Sequence, residues 1–443
     1  KFWTEEGLMG CSGVIDPKQE HKQKLFLRKP GLPILQVPFP DNSFRPYWNT
    51  FYQKILLSEE FIEDCKKECN FSHEESCELY EKINESLNKG KDPSPITIRY
   101  GQSTDKLNNL IRHHLKLHGQ MDLDASFVGV WDYYEKTLNQ LKSYGAKIVR
   151  LDAFAYLHKK VGSSNFFNIP GTWHYLDRLK SYAAKLKIIL LPEIHAQYGK
   201  HIHKQLSDNG FPIYDFFLPG LIIHTLEEKD RGPLLKWIEE IQARDFRLIN
   251  MLGCHDGIPL LDLDRDPEHI DHPGLLSSSQ IESLIDKIIL RGGYVKNLFG
   301  PDGHKISYYQ VNSTYFSALN ECQNKLLMAR AIQLFMPGTP QIWYLDLFAG
   351  VNDHGALEAN TENHKEINRT NLSAYEVQKR LKTTVVQKQL DLLRLRAHHP
   401  AFKGSMKIVP TNNNLIQMRW ENGHEWAMLK IDLSKMSYSI DHV

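Results

Sequence analysis

Three carboxylates, each with a basic neighbour, come at the ends of short apolar segments of this sequence: Asp152 with Arg150, Glu193 with His195, and Asp256 with His255. Side chains two residues apart on a strand face the same way, so the first two pairs would each place an acid beside a base. A single Asp at a strand end is commonly only the N-cap of the next helix. Three such pairs on three segments instead predict a catalytic site at the carboxyl edge of a sheet.

Carboxylates in this arrangement suit glycosyl transfer. A retaining enzyme needs one nucleophilic carboxylate and, about 5–5.5 Å away, a second carboxyl that acts first as acid and then as base. Arg150 would keep Asp152 ionised and ready to attack. Glu193 follows the apolar segment 190–192, an environment that favours a proton donor. Asp256 would then stabilise an oxocarbenium-like transition state.

The elements that must position these residues alternate regularly from about residue 130 onward. Apolar spacing predicts strands at 147–152, 188–195, 212–218, 247–256 and 340–344, and helices at 130–144, 172–186, through Trp237 and Ile241, at 323–336 and at 373–397. This alternation is typical of parallel βα units in an α/β fold. The helical spacing of apolar residues in 52–118 predicts a helical insertion. Strand-like segments in the last residues, 399–443, predict a small all-β domain.

Composition narrows the class of partner. The chain of 443 residues carries 54 Lys and Arg against 53 Asp and Glu, a balance that gives no support for a nucleic-acid or membrane-surface partner. No apolar run approaches the roughly 18 residues that a membrane span needs. Six cysteines in this length do not make a disulfide scaffold. We expect a cytoplasmic location, with any targeting segment lying upstream of Lys1.

Six segments carry a family resemblance: VRLDAFAY at 149–156, LPEIH at 191–195, CHDGI at 254–258, YQVNSTY at 309–315, AGVND at 349–353 and EINR at 366–369. Together they resemble the α-amylase superfamily, and specifically its sucrose phosphorylase branch. The resemblance covers nearly the whole chain except residues 52–118. It implies a (β/α)8 TIM barrel of the α-amylase type, with an inserted loop-rich and helical domain and a small C-terminal all-β domain.

The resemblance also implies domain limits. Residues 1–125 would be the domain inserted after the third barrel strand, 126–398 would hold barrel strands four to eight with a sub-insertion at about 258–308, and 399–443 would be the β domain. The first three βα units, which in the family supply an Asp and a His to the glucose ring, have no match in this chain. A barrel without them would expose two sheet edges.

Site roles follow from the same resemblance. Asp152 would be the nucleophile, Glu193 the acid and base, and Asp256 the transition-state stabiliser. The glucosyl unit would be bound by Gln120, His255 and Arg369, and Arg150 would orient the nucleophile at the substrate. The acceptor side would be lined by Tyr156 and His195, with Phe51 as an aromatic wall. The implied partners are a small sugar substrate and inorganic phosphate, with no cofactor and with a homodimer as a possibility. Two rivals stay open: plain hydrolysis, and a catalytically silent, amylase-like binding module.

The choice of acceptor lies in two loops. The branch includes members that act on sucrose, sucrose 6'-phosphate, glucosylglycerol and glucosylglycerate. Arg28 in LRKPGLP at 27–33 and His354 after Asp353 resemble the members that act on sucrose 6'-phosphate. Arg offers a fork to phosphate oxygens, and Lys29 keeps a positive charge where inorganic phosphate would bind. The alternative is that Arg28 and His354 are ordinary solvated loop residues.

A set of candidate metal ligands lies in the insertion, where a Cys or His recurs every four residues: Cys65, Cys69, His73 and Cys77. On one continuous helix they would be too far apart for one metal ion. A break at 70–72, with Ser72 and Glu75 forming a capping box, would fold the segment into a helical hairpin. The four side chains could then bind Zn²⁺. The alternative is an apolar face of reduced thiols.

Overall fold

The computed structural model describes residues 36–38, 44–46, 53–88, 93–119, 122–160, 163, 166–299, 305–359, 364–412 and 414–443. The chain divides into two compact units. The first comprises residues 1–147, 153–189 and 298–307, and the second comprises 148–152, 190–297 and 308–443. The three predicted domains, with their limits, stay predictions.

The insertion in the first unit is a helical group enclosed by a pair of strands. After β1 (Gln36–Pro38) and β2 (Phe44–Pro46), its elements are β3 (Gln53–Leu57), α1 (Glu60–Cys69), α2 (His73–Asn88), α3 (Ser94–Thr97), α4 (Thr104–His114) and β4 (Leu115–Gly119). β3 and β4 pair antiparallel, from Gln53 opposite Gly119 to Leu57 opposite Leu115. The helices were predicted; the two strands that close the insertion were not.

The helices of the insertion pack around an apolar core of their own. Phe61, Leu79, Ile83 and Leu107 are fully buried there. Their spacing along each helix follows the helical repeat, which is why the sequence pattern found these helices. The insertion therefore has an apolar cluster of its own.

The predicted break between α1 and α2 is confirmed. Asn70 adopts a left-handed conformation with φ of 56°, which ends α1. The Glu75 N–H then donates to Ser72 Oγ at 3.1 Å, and the Ser72 N–H donates to Glu75 Oε2 at 2.8 Å, which is a capping box. The sequence therefore predicted both the turn and its stabilising bonds.

The four zinc candidates divide between two environments. Cys65 and Cys69 are buried in the core of the insertion, and burial raises the pKa of the Cys65 thiol to about 12. His73 Nε2 and Cys77 Sγ lie 3.7 Å apart on α2. Among the described residues no group of three or more His, Cys, Asp or Glu side chains could hold a metal ion. This geometry favours the alternative of reduced thiols on an apolar face.

The rest of the first unit contains α5 (Val128–Ser143) and α6 (Gly171–Lys185), close to the predicted limits. Trp131 is buried between them, with its ring centroid 5.2 Å from that of Tyr175, and its Nε1 donates to the Ala125 carbonyl at 2.7 Å. Lys159 is buried as an ion pair with Asp122 at 2.7 Å. This pair fixes the chain that follows the 3₁₀ turn Phe154–Tyr156.

The second unit contains short parallel strands. They are β5 (Ile148–Leu151), β6 (Ile189–Pro192, whose first residue belongs to the first unit), β7 (Ile213–Asp215), β8 (Leu248–Asn250) and, later in the chain, β11 (Thr339–Pro340). β7, β8 and β11 pair parallel in the order β11-β8-β7, and β5 pairs with β6. All five predicted strands exist, but each is shorter than predicted. The three predicted catalytic carboxylates, Asp152, Glu193 and Asp256, therefore follow the ends of β5, β6 and β8.

Helices and a hairpin connect these strands from β6 to β11, and two short helices at the end of the series follow β11. They are α7 (Ile202–Asp208), α8 (Leu218–Glu228), α9 (Gly232–Arg244), α10 (Ser278–Leu290), the paired strands β9 (Tyr294–Phe299) and β10 (Lys305–Asn312), α11 (Tyr315–Ala318), α12 (Gln323–Phe335), α13 (Tyr344–Leu347) and α14 (His354–Ala359). α8 and α12 are almost wholly buried. Within the described ranges no helix is both long and apolar enough to cross a lipid bilayer.

The prediction of one long helix at 373–397 was wrong. The segment forms α15 (Ala374–Arg380) and α16 (Thr384–His398). Ser373 begins α15 with a capping box to Glu376, and the Thr383 N–H and Oγ1 both bond to the Arg380 carbonyl between the helices. A Thr whose side chain and backbone both bond locally favours a helix boundary over a helix interior.

The last residues, for which the sequence predicts strands, form an antiparallel sheet. Its strands are β12 (Ser405–Ile408), β13 (Leu415–Asn422), β14 (Glu425–Asp432) and β15 (Ser437–His442), paired in chain order. Buried residues of β13 and β14 belong to the same apolar core as α12. Trp420 Nε1 donates to the Phe335 carbonyl at 2.8 Å. The sheet therefore shares its core with the helices of the second unit.

Candidate active site

One guanidinium joins two of the three predicted catalytic carboxylates. Arg150 Nη1 lies 2.9 Å from Asp152 Oδ1, and Arg150 Nη2 lies 2.5 Å from Glu193 Oε1. The strands impose this arrangement, because the Glu193 N–H donates to the Leu151 carbonyl at 3.0 Å and so continues the pairing of β5 with β6. The planar fork of Arg can bind two carboxylates at a fixed separation, which Lys cannot do.

The two carboxylates differ in exposure. The Asp152 side chain is 76% exposed, whereas that of Glu193 is 10% exposed. Burial alone would lower the pKa of Arg150, but the charges of Glu193 and Asp152 outweigh burial and raise it. Arg150 therefore stays a cation, and the accessible Asp152 can meet a substrate while Glu193 is held in a drier position.

Asp256 lies in a tight turn beyond β8. Its Oδ1 accepts from Lys365 Nζ at 2.5 Å and from Arg369 Nη2 at 3.1 Å. Burial would raise the pKa of Asp256, but these two cations outweigh burial and lower it. The turn requires Gly257, which has φ of +110° and where an added Cβ would lie 2.3 Å from the Val311 carbonyl oxygen.

Backbone contacts hold this turn in place. Asn312 Nδ2 donates to the Asp256 carbonyl at 2.8 Å, and Asn368 Nδ2 donates to the Cys254 carbonyl at 3.0 Å. Arg369 Nε donates to the His255 carbonyl at 2.8 Å. His255 and Arg369 therefore belong to one bonded group with Asp256, and their roles in binding the glucosyl unit stay predictions.

The imidazole of His195 is fixed on three sides. Its Nδ1 lies 2.8 Å from Asp262 Oδ2, its Nε2 lies 3.9 Å from Glu193 Oε1, and its ring stacks on Phe216 with centroids 3.7 Å apart. Burial would lower the pKa of His195, but Asp262, Glu193 and Asp256 outweigh burial and raise it. The structure therefore places His195 next to the acid of the predicted pair.

The remaining predicted site residues are not in this group. Asp353 Oδ1 accepts from the Ala356 N–H and Oδ2 from Thr370 Oγ1, so this carboxylate begins α14. His354 is exposed at the first turn of α14. Tyr156 belongs to the first unit, where its ring centroid lies 5.1 Å from that of Phe166. Four predicted residues lie outside the described part of the chain: Arg28, Lys29, Phe51 and Gln120.

Sequence reasoning missed three residues of the site. Lys365 pairs with Asp256, and Asp262 pairs with His195. The third is Asp346, which accepts hydrogen bonds from the Gly253 N–H at 3.1 Å and from the Tyr315 N–H at 3.2 Å. Lys365 directly precedes the EINR segment, and Asp262 follows CHDGI by a few residues. Proximity to these segments was the only signal that could have singled them out.

Two known proteins with related sequences carry the same name. The chain is 48% identical over 443 residues to a sucrose 6(F)-phosphate phosphorylase of Ilumatobacter coccineus, covering all of this chain and 74% of that protein. It is 36% identical over 330 residues to a sucrose 6(F)-phosphate phosphorylase of Thermoanaerobacterium thermosaccharolyticum, covering 73% of this chain and 64% of that protein. The chain belongs to the sucrose phosphorylase family. No protein-family model matches it.

A solved structure of the sucrose phosphorylase family agrees with the fold. The crystal structure of sucrose 6F-phosphate phosphorylase from T. thermosaccharolyticum superimposes with a TM-score of 0.75 at 29% sequence identity. The match covers 100% of this chain and 75% of that chain. The mixed α/β fold inferred from the alternation of strands and helices is therefore confirmed.

The bonds to Asp256 predict a pH effect in this member of the sucrose phosphorylase family. Lys365 and Arg369 lower the pKa of Asp256, so its carboxylate stays ionised as the pH falls. Replacing Lys365 by Met removes one of these cations and raises that pKa. We expect the acid limb of the kcat/KM profile to move to higher pH, with little change at the alkaline side.

The control for this shift is Lys407→Met, which removes an exposed Lys that pairs with Glu421 in the C-terminal sheet. That variant should keep the wild-type profile. An acid limb that stays in place in Lys365→Met would show that Lys365 does not hold Asp256 ionised.

Proposed function

We propose that this protein is a retaining glucoside phosphorylase. The proposed substrates are sucrose 6'-phosphate and inorganic phosphate, and the products are α-glucose 1-phosphate and fructose 6-phosphate. One observation carries the proposal: Arg150 holds Asp152 and Glu193 on a single guanidinium. The two relatives described above support the choice of substrate, because both are named sucrose 6(F)-phosphate phosphorylases.

The first half of the reaction forms a glucosyl ester. A carboxylate oxygen of Asp152 attacks the anomeric carbon, while Glu193 donates its proton to the glycosidic oxygen, and the bond to the fructosyl unit breaks with its electron pair on that oxygen. Asp256, held ionised by Lys365 and Arg369, stabilises the positive charge that develops on the sugar ring. Fructose 6-phosphate then leaves.

The second half transfers the glucosyl unit to phosphate. A phosphate oxygen attacks the anomeric carbon, the bond to Asp152 breaks with its electron pair returning to the carboxylate, and Glu193 accepts the proton of the attacking group. Two inversions give net retention, so the product is the α-anomer. Attack by water in place of phosphate would give hydrolysis. The acceptor site therefore determines how much of the glucosyl ester goes to phosphate and how much to water.

The finer architecture belongs to the same proposal. We assign β5, β6, β7, β8 and β11 to strands four to eight of an α-amylase-type barrel, because their chain order and their intervening helices fit that fold. A cytoplasmic location fits the five free cysteines among the described residues, since reduced thiols are usual in a reducing compartment. A homodimer stays a prediction.

The choice of the phosphorylated substrate is tested in the two acceptor loops. Charge-assisted bonds to phosphate contribute about 1.5–3 kcal/mol each, so Arg28 and His354 together would favour sucrose 6'-phosphate over sucrose by roughly 10²-fold or more. We expect the double variant Arg28→Pro, His354→Gln to lose most of this preference, measured as the ratio of kcat/KM values, with little change on sucrose.

His424→Gln is the matched control, since His424 is an exposed His in the turn between β13 and β14. A double variant that keeps the preference would overturn the roles of the two loop residues. A wild-type protein that prefers sucrose would be a sucrose phosphorylase, and one that prefers glycerol or glycerate acceptors would belong with those members of the branch. Absence of any glycosyl transfer would support the catalytically silent rival.

A further inference from the structure

Asp262 is a buried acid that the proposed double displacement does not use. It lies on the 3₁₀ turn Leu261–Leu263, its side chain is 9% exposed, and its Oδ2 is 2.8 Å from His195 Nδ1. Because a carboxylate can only accept, His195 must carry a proton on Nδ1, and its Nε2 then faces Glu193 at 3.9 Å. The ring cannot rotate freely, since it stacks on Phe216, which stacks in turn on Tyr214.

The charged groups around this imidazole are mostly acidic. Asp262 bonds one nitrogen, Glu193 faces the other, and Asp256 adds a third negative charge nearby. The Tyr214 hydroxyl, which donates to Gln341 Oε1 at 2.5 Å, has its pKa raised to about 12 by burial and so stays neutral. The cation Arg150 is already bonded to Asp152 and Glu193. An imidazolium is the form of His195 that this environment stabilises.

We propose that Asp262 is a positioning residue which orients His195 and keeps it protonated, so that the His195 imidazolium binds the attacking inorganic phosphate beside Glu193. This inference rests on the proposed phosphorylase function. Phosphate is an anion near neutral pH, whereas water is uncharged, so a cation next to Glu193 favours phosphate as the acceptor. A second N–H from His195 Nε2 would also hold the phosphate oxygen close to the base that takes its proton.

The test compares two acceptors for one glucosyl donor. With α-glucosyl fluoride as donor, the intact protein is assayed for glucose 1-phosphate formed with inorganic phosphate and for glucose formed without it. We expect Asp262→Asn to raise the KM for phosphate about 10-fold, and so to lower the ratio of phosphorolysis to hydrolysis by a similar factor. If Asp262 had only a structural role, its loss would lower phosphorolysis and hydrolysis together and leave their ratio unchanged.

A pH series gives the second readout. His195 loses its charge as the pH rises through its pKa, so the KM for phosphate should increase with pH in the wild type. In Asp262→Asn that increase should begin at lower pH, because the acid that raises the pKa of His195 is gone. Phosphate itself also ionises over this pH range, but equally in the wild-type and Asp262→Asn assays. Its contribution therefore cancels when the two pH series are compared.

Asp266→Asn is the matched control, since Asp266 is a buried acid four residues further on that approaches His272 rather than His195. If Asp262→Asn fails to fold, His195→Gln gives the same test, with the same expected loss of phosphate preference. An unchanged KM for phosphate in a folded variant, or equal loss with both acceptors, would overturn the inference. A wild type that makes glucose but no glucose 1-phosphate would instead overturn the proposed phosphorylase function.

Discussion

Replacing Asp152 by Asn is expected to lower turnover by several orders of magnitude. The amide has nearly the shape of the carboxylate, and it can keep one contact with Arg150, so the fold should survive. It is a poor nucleophile, however, and cannot form the glucosyl ester on which both half-reactions depend. The measurement is kcat with sucrose 6'-phosphate and saturating phosphate, with the melting temperature recorded for the same preparation.

Asp391→Asn is the control for this variant, because Asp391 is an exposed Asp on α16 that pairs with Arg394 along its own helix. It should retain wild-type turnover. Activity of the Asp152→Asn protein within a few-fold of the wild type would mean that another group attacks the sugar, and the proposed double displacement would then be wrong.

Replacing Glu193 by Gln is expected to cause a loss of similar size with sucrose 6'-phosphate, but not with every donor. The fructosyl oxygen needs a proton to leave, and Gln has none to give. Fluoride leaves without a proton, so formation of the glucosyl ester from α-glucosyl fluoride should remain fast. The measurement is the ratio of kcat/KM values for the two donors, which we expect to shift strongly toward the fluoride.

Equal loss with both donors would contradict the role of Glu193 as the acid. Such a result would point to a collapse of the Arg150 bridge, since Glu193 also binds that guanidinium. Glu74→Gln, at an exposed position in the first turn of α2, is the control and should leave the donor ratio unchanged.

The catalytic group could be predicted from the sequence because its members belong to short segments with regular surroundings. Arg150 and Asp152, and Glu193 and His195, are each two residues apart, and β5 and β6 are successive strands of one parallel pair. Apolar periodicity locates such strands, and parallel pairing brings their carboxyl ends together. The roles of these residues still came from family resemblance, since periodicity alone does not tell a nucleophile from an acid.

Other features depend on contacts between distant parts of the chain, which periodicity does not contain. Asp262 meets His195 and Lys365 meets Asp256 only through the folding of long irregular loops. The strands β3 and β4, which close the insertion, are also far apart in sequence and too short to show a pattern. By contrast, the turn at Asn70 and the capping box at Ser72 are local, and the sequence predicted both.

Capture of the covalent intermediate tests the central claim most directly. The Glu193→Gln protein, mixed with α-glucosyl fluoride in the absence of phosphate, can form the glucosyl ester but lacks the base that activates water to remove it. Peptide mass spectrometry after acid quenching should find one anhydroglucose unit on the peptide that contains Asp152. Label on a different carboxylate, or none while fluoride is released in a burst, would contradict the account.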